Sequence, residues 1–172
     1  MPTSRVIMIL YAFSATVYVM ATAHGPASLA WATAPVLMPL LAGAVIFAAA
    51  ESGRSPDRWM LAALVLATLA DVAFLALPPL GIAFLVASQA VYAITFARAR
   101  WIGIGVGVLL LSDGLFAVRL IGAFDLPSPA VLVAAAYTFG QALIVIGWVR
   151  RPAITTPPVS EPRTEEEVLT RQ

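Results

Sequence analysis

Six apolar runs, at residues 6–23, 30–50, 59–77, 80–96, 102–123 and 130–149, follow one another along the chain, parted by short segments of Gly, Pro, Ser or charged residues. Each is about 17 to 22 residues long, enough for a helix to cross the roughly 30 Å hydrocarbon core of a bilayer. Within that core only a helix satisfies all of its backbone hydrogen bonds inside one span. The pattern therefore predicts an all-α fold, a polytopic transmembrane helical bundle of about six spans that occupies residues 1–151. Residues 152–172 are polar and rich in Pro and Glu, and predict a disordered cytoplasmic tail that cannot bury enough apolar area to fold.

Composition points the same way. Hydrophobic residues make up 61% of the 172 residues and charged ones 11%, against about a quarter charged in soluble domains. A soluble core could not cover that much apolar surface. With no Cys, disulfides, thiolate chemistry and Cys-type metal sites are excluded. The net charge of +1 leaves no basic surface of the size nucleic acid requires.

The placement of Arg carries more information than its number. Arg5 precedes the first run, Arg54 and Arg58 follow the second, Arg98 and Arg100 follow the fourth, and Arg150 and Arg151 follow the sixth. The three alternate connections, around His24, Pro78-Pro79 and Asp125, contain no Arg. The positive-inside rule then puts both termini in the cytoplasm. Trp59, Trp101 and Trp148 fall at the inner interface and Trp31 at the outer one, as aromatic anchors should. The first run also reads as a signal peptide, with Arg5, an apolar stretch and Ala21-Thr22-Ala23 as the cleavage site, which leaves five spans in the same orientation.

Two acids interrupt the apolar runs: Asp71 in the third and Asp113 in the fifth. Unpaired, each costs several kcal/mol in lipid, and such residues are seldom kept for packing alone. Counting about 1.5 Å per residue from the cytoplasmic ends puts both roughly 17 Å deep, with Gln89 and Gln141 roughly 12 Å deep. Helical spacing adds Thr68 to the Asp71 face, Tyr92 to the Gln89 face and Tyr137 to the Gln141 face. Four helices are expected to turn these faces toward one another. Two acids sharing such a layer can divide one proton between them, the arrangement acid–base chemistry needs. The plainer reading is that Gln, Tyr and Ser hydrogen bonds hold the helices together. Arg119 lies six residues beyond Asp113, about 9 Å closer to the outer face, and reads either as a phosphate clamp or as an interfacial anchor. Glu51 and Asp57, near Arg54 and Arg58, read as a solvated charge cluster. His24 has no metal-ligand partner in the sequence, and no metal site is expected.

In order, Ala70-Asp71, the stretch from Gly81 to Tyr92, Leu111-Ser112-Asp113 and Tyr137-Thr138-Phe139-Gly140-Gln141-Ala142-Leu143-Ile144 resemble the YhhN-like lysoplasmalogenase family of membrane proteins. That family has a Gly-Asp span, a His/Tyr span, a Ser-Asp span and a closing Tyr/Gln span. The resemblance covers roughly residues 35 to 149. The chain departs from it at Ala70, where the family has Gly, at Gln89, where it has His, and at Ala34-Pro35, where it has Lys-Pro. Two spans that the family carries between its His/Tyr and Ser-Asp spans are absent, which makes this a shortened member.

The resemblance implies hydrolysis of the vinyl ether bond of lysoplasmalogen to a fatty aldehyde and a glycerophospho-base, in the plasma membrane of a bacterial cell. It names Asp71 and Asp113 as the catalytic pair. Gln89, Tyr92, Ser112, Arg119, Tyr137 and Gln141 become the candidate substrate-binding residues, the partner is a membrane lysolipid, and no cofactor is implied. Two other readings stay open: a small proton-coupled transporter, because intramembrane acids also relay protons, and a catalytically inactive membrane scaffold, because two polar groups of the family pattern are missing.

Overall fold

The computed structural model describes residues 1–96, 99–121 and 128–150, with the side chains of all but 96 and 117–121. The predicted tail, Arg98, Arg151, the segment around Asp125 and the side chain of Arg119 lie outside the described residues. The described residues form six helices: α1 (Thr3–His24), α2 (Ala27–Glu51), α3 (Arg58–Ala76), α4 (Pro78–Phe96), α5 (Arg100–Ile121) and α6 (Pro129–Val149). Five of them, all but α5, are long and apolar enough over their described residues to cross a membrane.

Most helices start before the apolar runs do, because backbone hydrogen bonding continues through polar residues until something stops it. Pro2 and Pro26 supply that stop for α1 and α2. Between α3 and α4 the break is one residue: Leu77 precedes Pro78 and is driven out of the helical region, to φ −145° and ψ 81°. Asp57 accepts hydrogen bonds from the backbone N–H groups of Trp59 and Met60 and so caps the start of α3. Glu51 accepts from the backbone N–H of Ser4 at 3.0 Å and from its hydroxyl, which ties the start of α1 to the end of α2. These two acids are thus structural fasteners rather than a loose charge cluster.

The helices stand in a ring in chain order: each packs against the next, α6 closes on α1, and α2 and α6 also touch across the interior. One end of the ring collects the starts of α1, α3 and α5 and the ends of α2, α4 and α6. Here Arg guanidinium groups lie over Trp rings, Arg54 at 5.4 Å from Trp148, Arg58 at 5.5 Å from Trp59 and Arg100 at 6.0 Å from Trp101. Inside this half the ring is filled: Leu37, Leu41, Leu64, Leu109, Ile144 and Met60 are fully inaccessible. Outward-facing side chains such as Phe13, Val65, Val86, Leu111 and Phe139 are largely exposed, as lipid contact requires.

The tightest seam joins α5 and α6. A methyl group at Gly105 would come within 2.8 Å of the Gly140 carbonyl oxygen and 2.9 Å of the Ile144 nitrogen, and one at Gly140 within 3.0 Å of the Gly105 carbonyl oxygen. Small residues let the two backbones approach, the usual basis of helix association where lipid offers no hydrophobic drive.

The orientation expected from the Arg placement is directly measurable, since the native chain contains no Cys. Cys introduced at Ser52 and at Ser128, both exposed and at opposite ends of the ring, should differ in labelling by an impermeant maleimide, with Ser128→Cys reacting in intact cells and Ser52→Cys only after lysis. Equal labelling from outside would overturn the orientation.

Candidate functional site

The half of the ring away from the Arg–Trp contacts is not filled. It holds a cavity of about 410 Å³, within the range typical of small-molecule sites. Every helix contributes to its wall: Tyr18 from α1, Trp31 from α2, Asp71 and Phe74 from α3, Leu85 from α4, Asp113 and Phe116 from α5, and Tyr137 from α6. Beside Trp31, α2 lines the cavity with Ala27, Ala30 and Ala34, whose small side chains leave space, and below them α2 turns to packing with Leu37, Met38 and Leu41. Pro35 and Pro39 sit at that junction, where each removes a backbone hydrogen bond and gives α2 a place to change direction.

Asp71 and Asp113 both line this cavity, and each lies thirteen residues beyond the start of its helix. That is roughly 20 Å from the Arg end, deeper than the sequence count because α3 and α5 begin earlier than the apolar runs. Asp71 is only five residues from the end of α3, so it lies toward the end of the bundle away from the Arg–Trp contacts.

Each acid has its own partner on another helix. The Tyr137 hydroxyl donates to both oxygens of Asp71, at 3.1 Å to Oδ1 and 3.1 Å to Oδ2, which joins α6 to α3 across the ring. Gln89 Nε2 donates to Asp113 Oδ2 at 3.2 Å, which joins α4 to α5. One turn nearer the Arg end, the Tyr92 hydroxyl donates to Gln141 Oε1 at 3.1 Å, and the Tyr11 hydroxyl donates to the Thr138 carbonyl at 2.7 Å. The Ser112 hydroxyl, on the cavity wall, donates to the Val133 carbonyl at 3.0 Å and fastens α5 to α6.

Of the sequence-predicted site residues, Asp71, Ser112, Asp113 and Tyr137 line the cavity, while Gln89, Tyr92 and Gln141 lie buried beside it as supports. Arg119 belongs to α5, and its side chain is outside the described residues. Thr68 is not a partner of Asp71: its hydroxyl donates to the Leu64 carbonyl at 2.9 Å, the local bond a helical Thr makes when nothing better is in reach. His24 is exposed at the end of α1. Among the described residues no group of three His, Asp or Glu side chains is set to hold a metal ion.

The sequence reading missed the walls. Tyr18, Trp31, Phe74 and Phe116 face the cavity, and Phe74 meets Phe116 edge to face, with ring centroids 5.8 Å apart at 78°. A signal was available in α1, where Tyr11 and Tyr18 lie two turns apart and so share a face. Among the described residues, the buried side-chain atoms without a hydrogen-bond partner are Gln89 Oε1 and Gln141 Nε2, an acceptor and a donor.

No family model, no curated protein and no solved structure matches this chain. The functional reading therefore rests on the residues of the cavity.

Proposed function

We propose that the protein is a lysoplasmalogenase-like membrane hydrolase that cleaves the vinyl ether bond of a single-chain ether lysolipid. The observation that carries the reading is that Asp71 and Asp113, on different helices, open onto one largely apolar cavity at one end of the bundle. The headgroup would stay at the cavity mouth, the ether oxygen would reach the level of the acids, and the chain would lie along apolar wall residues such as Leu85 and Val133.

In the proposed reaction the protonated acid gives its proton to the β-carbon of the vinyl ether, leaving an oxocarbenium ion at the α-carbon. The ionised acid stabilises that cation and orients water, which adds at the α-carbon to give a hemiacetal. Collapse of the hemiacetal releases the glycerol hydroxyl and a fatty aldehyde. One water is consumed, and the first acid recovers its proton from the attacking water. Asp71, held by the Tyr137 hydroxyl, and Asp113, held by the Gln89 amide, take these two roles between them.

The filled half of the ring favours a hydrolase over a carrier. Hydrolysis needs access from one face, whereas transport needs a path past Leu41, Leu64, Leu109 and Ile144. Aldehyde release from a panel of ether lysolipids by the purified protein tests the reading. Proton-driven uptake by proteoliposomes without aldehyde would support the carrier, and neither result would leave the scaffold. Within the hydrolase reading, Tyr137→Phe keeps the ring but removes the hydroxyl that donates to Asp71. Losing that one shared O–H is expected to lower kcat roughly tenfold with a smaller change in KM, about 1.4 kcal/mol of barrier. A wild-type rate in that variant would remove Tyr137 from the account.

A further inference from the structure

We propose that the cavity binds a cation carried on an apolar chain, a single-chain alkyl ammonium, with its nitrogen at the level of Asp71 and Asp113. This names a ligand class beyond the hydrolytic reading, and it also holds for a protein that catalyses nothing.

The charge balance of the cavity leads to it. Two carboxyl groups face the space, and among the described residues no Arg or His side chain lines it. Their hydrogen-bond partners, the Tyr137 hydroxyl and the Gln89 amide, are neutral and bring no countercharge. With no described cation against it, a carboxylate in so apolar a setting is neutralised by a proton or draws a cation into the cavity. The walls suit the second solution. Trp31, Phe74, Phe116, Tyr18 and Tyr137 surround the same space, and aromatic faces attract ammonium groups, quaternary ones included. Leu85, Val133 and several Ala residues complete an apolar lining for the attached chain. A sulfate or phosphate at this depth would meet two acids and no described basic group. A neutral alcohol would gain the apolar contacts but not the electrostatic ones.

In the hydrolase reading the same features serve the cationic oxocarbenium, so an alkyl ammonium would act as a mimic of that state and inhibit. Binding is nevertheless measured separately from activity.

The test uses the full chain purified in a neutral detergent, with tetradecyltrimethylammonium, tetradecanol and tetradecyl sulfate compared at equal mole fraction in the micelle. Saturable quenching or shift of tryptophan fluorescence reports occupancy, since Trp31 lies in the wall. The ammonium should bind at least tenfold more tightly than either analogue. Asp71→Asn with Asp113→Asn should weaken it tenfold or more without weakening tetradecanol, and Trp31→Leu, read by thermal stabilisation in place of fluorescence, should weaken it about threefold. Equal affinity of the wild type for the ammonium and the alcohol would overturn the proposal, and that comparison does not depend on any variant folding. Undiminished ammonium binding in the double variant would overturn it as well. Saturable ammonium binding without aldehyde release would uphold this proposal and remove the hydrolase, while aldehyde release without ammonium preference would do the reverse.

Discussion

Asn in place of Asp71 or of Asp113 is expected to lower aldehyde release by a hundredfold or more, roughly 3 kcal/mol of barrier, while the double variant loses little beyond the worse single one. Asn keeps the size of the side chain and can still accept the hydrogen bond from Tyr137 or Gln89, so the change tests chemistry more than packing. The effect should fall on kcat, because neither acid is needed to hold the apolar chain. Non-additivity follows from the roles: with no proton donor there is no cation for the other acid to stabilise, and with no stabilising charge protonation does not proceed. Gln89→Ala should cost less than either Asn variant, since it removes a support and leaves both carboxyls in place. If both Asn variants stay folded and hydrolyse at the wild-type rate, the two acids are not the catalytic pair.

The largest expected effect on stability is at the α5–α6 seam. Gly105→Val sets branched carbons against the Gly140 carbonyl and the Ile144 nitrogen, which are backbone atoms and cannot swing aside as a side chain would. A cost of about 3 kcal/mol, at the upper end of ordinary overpacking, is expected, read as a fall in the midpoint of thermal unfolding in detergent. Gly107 supplies the control on the same helix two residues away, where an added methyl meets nothing within 4 Å. Gly107→Val should therefore leave the midpoint nearly unchanged. Similar losses at both positions would mean that helix propensity, not the close approach of α5 to α6, sets the result.

Hydropathy and breaker residues place the six helices to within a few residues, because in this setting span length and Pro placement are strong physical constraints. The polar layer was legible for a related reason. Asp71, Gln89, Asp113, Tyr137 and Gln141 stand out against lipid-soluble neighbours, and lipid exposure would be too costly for them, so their faces had to turn inward. The cavity walls were not legible. A helix that is apolar on every side shows no preferred face in its hydropathy, and Ala27, Ala30, Phe74 or Phe116 would be equally at home against lipid. Which apolar residues point inward is decided by the ring closure of α6 on α1, a contact between sequence-distant helices that no local pattern announces. The expected pairing of Thr68 with Asp71 failed on a local effect, since a helical Thr hydroxyl already has a carbonyl four residues back.

The most direct measurement is the mass of the aldehyde that the purified wild-type protein releases from a lysoplasmalogen in deuterated water. Protonation of the β-carbon by a solvent-exchanged carboxyl places one deuterium on the carbon next to the carbonyl, and the account predicts that singly deuterated aldehyde together with an intact glycerophospho-base. An aldehyde without deuterium at that carbon, or no aldehyde from any ether lysolipid, would contradict it.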